Sequence, residues 1–175
     1  MNDPADSSVE AFVEHAYLRM QAGDVLMRCI EEDSPLPMQQ IVQELVLAGP
    51  QSLGVLREIL AETGERKAQV ADDIQQVFSE FQKGLKSYGV RLTGLRTPLS
   101  ITRLTPARFL TLIDSQALAD EEAREVCLKM LQESRSLIKN LAHHQRLLKD
   151  IEIYLQDWMW GVAYQMARSE DEKKH

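Results

Sequence analysis

Residues 120–168 read DEEAREVCLKMLQESRSLIKNLAHHQRLLKDIEIYLQDWMWGVAYQMAR, with no proline and no glycine before Gly161. Nothing in the run interrupts a helical backbone, and Asp120, Glu121, Glu122 and Glu125 favour a helix start electrostatically. Ala123, Cys127, Met130, Ser134, Leu137, Leu141, His144, Leu148, Ile151, Leu155, Trp158 and Val162 recur in unbroken steps of four and three, the spacing of a coiled-coil seam. A helix of that length spans roughly 73 Å at about 1.5 Å per residue. A compact chain of this size has a radius of gyration of only about 16 Å. The expectation is a second copy of the chain along Leu137, Leu141, His144, Leu148, Ile151, Leu155, Trp158 and Val162, giving a homodimer.

Moving toward the N-terminus, the six prolines at positions 4, 35, 37, 50, 98 and 106 divide the rest of the sequence. A first helix opens on the capping-box pair Ser7 and Glu10 and repeats Val9, Phe12, Val13, Ala16, Tyr17 and Met20 at helical spacing. A short second helix ends before Gly49-Pro50. Residues 52–86 form a second long coiled-coil-like helix on Leu56, Leu60, Thr63, Lys67, Val70, Ile74, Val77, Phe81 and Gly84. Thr63, Lys67 and Gly84 are poor seam residues. Residues 87–105 break the pattern with Gly89, Gly94 and Pro98, and read as a short irregular or hairpin connector. Thr105-Pro106 then reads as an N-cap followed by proline at the first helical position. The fold expected is all-α, an elongated helical bundle within a single domain over 1–175, with tails at 1–6 and 169–175.

Composition bounds the function. At 44% apolar and 27% charged, the 175 residues can bury a real core without disulfides or metal. A net charge of −7 disfavours broad attraction to nucleic acid or anionic membrane. No basic-then-apolar leader and no run of about 18 apolar residues is present, so the expected location is cytoplasmic, with Cys29 and Cys127 as free thiols.

The chemical motifs are mostly excluded. A di-iron site needs Glu three residues before His, but Asn140, Leu141 and Phe12 precede His143, His144 and His15. HExxH, phosphate loops, nucleophile elbows and dinucleotide fingerprints are missing, so no cofactor or metal is expected. His144 reads as one polar layer of the seam, of the kind that sets register and partner number. Trp158 and Trp160 lie in a segment apolar on every side, which points to burial against both the chain itself and a partner, with Gly161 permitting close approach.

One charge asymmetry remains. Lys86, Arg91, Arg96, Arg103 and Arg108 give +5 over 86–108 with no acid among them. Such a patch suits an anion or an acidic partner, unless the acids of the chain's own helices neutralise it. The combined reading is a non-enzymatic protein–protein interaction module, an adaptor or regulator, that homodimerises through its C-terminal helix. One alternative is a DNA-associated regulator using a helix-turn-helix at 36–60 or the basic connector, although the second helix offers bases mainly Arg57. The other is a small helical enzyme with an Arg-lined anion site, a kind that leaves no compact motif.

Overall fold

The computed structural model describes residues 4–47, 52–92, 94–113 and 120–174. Among the described residues six helices follow one another: α1 Pro4–Glu32, α2 Leu36–Leu47, α3 Ser52–Ser87, α4 Pro98–Thr102, α5 Pro106–Leu112 and α6 Glu121–Lys174. Among the described residues there is no strand, so the fold is all-α.

Local chemistry sets the helix ends. Helix α1 stops because Asp33 takes a left-handed φ of 55° and the Ser34 N–H reaches back to the Cys29 carbonyl at 3.1 Å, closing the last turn. Pro35 and Pro37 prevent its continuation, and the Ser34 hydroxyl accepts from the Leu36 N–H at 3.3 Å as α2 begins. Helix α3 ends in the same way. Gly89 adopts φ 74°, and the Val90 N–H donates to the Leu85 carbonyl at 3.0 Å. The Thr105 hydroxyl caps α5 by accepting from the Arg108 N–H at 3.2 Å, with Pro106 in the first turn. At α6, Asp120 accepts from the Glu122 N–H at 3.1 Å.

The chain forms two compact units, one of residues 1–67 with 146–175 and one of residues 68–145. In the first, Ala22, Leu26 and Cys29 of α1, Met38 and Val42 of α2, Leu56 and Ile59 of α3, and Ile151, Leu155 and Val162 of α6 make one apolar core. In the second, Phe78, Phe81 and Leu85 of α3 and Cys127, Leu131 and Ile138 of α6 are joined by Val90, Ile101, Leu104 and Phe109 from the segment between those helices. Each fully buried Leu, Ile or Phe contributes about 1.5–3 kcal/mol. The polar contacts between α1 and α3, a hydrogen bond between His15 and Glu58 at 3.1 Å and an ion pair of Arg19 with Glu62 at 2.7 Å, are partly exposed and set register more than stability.

The three poor seam residues of α3 each have a local reason. Thr63 is fully buried and donates its hydroxyl to its own helix, to the Ile59 carbonyl at 2.8 Å. Lys67 pairs with Glu152 of α6 at 3.1 Å. Gly84 leaves room for the Met130 side chain, which a methyl group at 84 would displace.

Three sequence expectations change, and a fourth falls outside the described residues. The 87–105 connector is neither hairpin nor wholly irregular, because Pro98 starts the short helix α4 inside it. Helix α1 begins at Pro4, ahead of the Ser7 cap expected from the sequence, and the Ser7 side chain lies outside the described residues. Helix α6 continues past 168 to Lys174, where a tail was expected. Residues 48–51, the turn of the helix-turn-helix reading, lie outside the described residues.

Because Gly89 needs a positive φ that an L side chain resists, Gly89→Ala should lower unfolding free energy by roughly 1–2 kcal/mol in urea titrations. An unchanged midpoint would show that the α3 terminus does not depend on this turn.

Candidate partner-binding surface

The basic connector sits in the second unit, between the end of α3 and the start of α5. Lys86, Arg91, Arg96, Arg103 and Arg108 are all exposed. Among the described residues none of their side chains has an ion-pair or hydrogen-bond partner. Among the described residues, no acid of the chain's own helices forms an ion pair with the patch.

Two open clefts are lined in part by four of these cations, and Arg96 lines neither. The first, of about 280 Å³, has walls of Phe78, Phe81, Leu85, Val90, Leu92 and Leu95, with Lys86 and Arg91 at its margin. The second, of about 330 Å³, lies between Leu95, Leu104 and Leu112, with Ser100, Arg103 and Arg108 supplying its polar side. Leu95 belongs to both, so the clefts are neighbours divided by one side chain. Leu99 of α4, the neighbour in sequence of Ser100, is 57% exposed.

The connector is held in place from beneath. Ile101, Leu104 and Phe109 are buried in the core of the second unit. Arg135 of α6 donates its Nε–H to the Thr102 carbonyl at 3.0 Å, satisfying the C-terminus of α4 next to Arg103. Arg135 and the cleft walls were not singled out in the sequence. Phe81 was legible only as a seam residue, and the pairing of Arg135 with Thr102 leaves no local pattern.

The expected dimer seam is distributed differently. Ile151, Leu155 and Val162 lie in the chain's own core and Leu148 is also buried, so these four are taken up within one molecule. Trp158 is half-buried against that core, its ring 6.3 Å from Tyr154. Leu141 and His144 are half-buried, while Leu137 is 52% exposed. The seam fails as a continuous docking edge because α1, α2 and α3 already cover its C-terminal half. The outward side of α6 instead shows Ile153, Trp160 and Tyr164. Gly161 is exposed, and within the single chain nothing lies within 4 Å of where its Cβ would be.

Reactive groups are scarce. Burial pushes the Cys29 and Cys127 thiols above the ordinary range, which keeps them protonated and poor as nucleophiles. Among the described residues no three His, Cys, Asp or Glu side chains gather as a metal site, and no helix is long and apolar enough to cross a membrane. Comparison with protein-family models, with curated proteins and with solved structures finds no match.

An apolar cleft edged by free cations should take an apolar anion. Binding of anilinonaphthalene sulfonate, followed by fluorescence, should weaken several-fold in the double variant Lys86→Glu, Arg91→Glu. Equal binding by wild type and variant would show that these cations do not serve the cleft.

Proposed function

We propose that the protein is a non-enzymatic interaction module that binds an acidic, amphipathic segment of another protein across the connector of its second unit. The observation that carries this reading is the combination of five exposed cations, unpaired among the described residues, with two adjoining clefts, the first walled mainly by apolar side chains and the second of mixed polar and apolar lining.

The two features divide the work. An apolar side chain buried in either cleft contributes about 1.5–3 kcal/mol, whereas a solvent-exposed charge pair contributes at most about 1 kcal/mol. Apolar anchors therefore supply affinity, and the arginines select for acid and speed the encounter. Two large side chains one helical turn apart on a partner helix fit two clefts separated by a single leucine, with Asp or Glu beside them facing Arg91 and Arg103. Arginine suits this role better than lysine because its planar fork engages both oxygens of a carboxylate.

A catalytic reading draws less support, since the arginines face solvent and both clefts are open, although the amide of Gln82 lines the first beside Lys86 and Arg91. A nucleic-acid reading shares the cations but leaves the apolar clefts unused. Its alternative site at 36–60 presents Arg57 beside the acids Glu58 and Glu62.

Titration with three probes separates these readings: a synthetic acidic amphipathic helix, the same helix with Lys in place of Glu, and a random-sequence duplex DNA. The acidic helix should bind best, lose about tenfold in affinity between low and physiological salt, and lose most binding when Arg91, Arg96, Arg103 and Arg108 become Glu. Tighter binding of the duplex, with a steeper salt slope, would favour the nucleic-acid reading instead.

A further inference from the structure

Helix α1 has an apolar surface on two opposite sides. At about 100° per residue, Leu18, Ala22, Val25, Leu26 and Cys29 point into the core of the first unit, where all but half-buried Leu18 are buried. Val9, Phe12, Val13, Tyr17 and Met20 point about 180° away and are 59–73% exposed. A helix apolar on both sides is covered on both sides in its working state.

We infer that a second copy of this chain covers the outer face of α1, in an antiparallel pair whose two-fold axis passes at Ala16. This surface lies in the first unit, and the inference does not depend on the acidic-partner reading. Three observations favour a second copy as the occupant.

The first is area. At roughly 200 Å² per large apolar side chain, exposures of that size leave about 600 Å² of apolar surface on one stripe. One side of a standard interface is about 800 Å², of which a little over half is apolar. The stripe alone meets that need.

The second is self-complementarity, which a two-fold interface requires because each patch meets its own copy. Around Ala16, Phe12 and Met20 stand four residues to either side, and Val9 and Gly23 stand seven to either side. Antiparallel pairing sets each Phe12 beside the other copy's Met20, a favourable thioether–aromatic contact. The two small Ala16 side chains meet at the axis and let the helices approach. Val9 falls over Gly23, where nothing lies within 4 Å of the position a Cβ would take.

The third is charge, which argues against a lipid surface. Helices that lie on membranes border their apolar face with Lys and Arg, but this stripe carries or borders on Glu10, Asp24 and Glu31 against Arg19 and Arg28, and Arg19 is already paired with Glu58 and Glu62. The homodimer expected from the sequence is thereby moved from the α6 seam to α1.

The full chain tests this by cross-linking and mass. Phe12→Cys and Met20→Cys chains mixed in equal amounts should join through a short thiol-reactive cross-linker several-fold faster than either chain alone. The native thiols are buried and should stay out of the reaction. Wild type should scatter light at twice 19.9 kDa, and Phe12→Glu with Tyr17→Glu should scatter as a monomer with unchanged helical circular dichroism. Both substituted residues are exposed in one chain, so folding is not at risk. A wild-type monomer, a variant that keeps the doubled mass, equal cross-linking in all mixtures, or binding to anionic vesicles through α1 would each overturn the inference.

Discussion

A long helix without proline displays its apolar residues along one side, and that side must meet other apolar atoms. In this chain the requirement falls hardest on α6, whose Ile151, Leu155 and Val162 would cost about 1.5–3 kcal/mol each if left in water. The molecule meets it internally. Helices α1, α2 and the first part of α3 converge on one stretch of α6, while the rest of α3 and the α4–α5 segment converge on another. The connector inherits its position from this arrangement. Ile101, Leu104 and Phe109 are drawn inward, and the arginines between them remain on the outside.

Much of the architecture was legible in sequence because helix signals are local. Proline placement, the four-and-three spacing and the Thr105-Pro106 start depend on neighbours within one or two turns, and the bounds of α3 and α5 follow them closely. Which element covers an apolar face is a different kind of information. The seam on α6 has the same spacing whether a second copy or the chain's own α1 lies against it, so periodicity could not separate the two. Helix α1 misled in the complementary direction. Its repeat of Val9, Phe12, Val13, Tyr17 and Met20 looks like a core face, yet the core uses the side carrying Leu18, Ala22 and Leu26.

The candidate site was half visible. Five cations without an intervening acid can be counted in a sequence, and among the described residues they have no ion-pair partner. The first cleft beside them cannot be counted in that way, because its walls combine α3 residues with connector residues up to 17 positions away, from Phe78 to Leu95. The misfits at Thr63, Lys67 and Gly84 make a similar point. Each breaks the spacing rule, and each is answered by one contact: a backbone carbonyl, a glutamate on α6, or the volume of a methionine.

The most direct test is the substitution Leu155→Asp, at a side chain with no exposure in a single chain. If the inner side of α6 is the core of one molecule, a carboxylate there combines a lost Leu, worth about 2–5 kcal/mol, with a buried charge. Far-UV circular dichroism should then show loss of most helical signal or a steep fall in melting temperature. A variant that keeps full helicity and stability while its mass falls from two chains to one would show that this side joins separate molecules, and would contradict an α6 core completed within one chain.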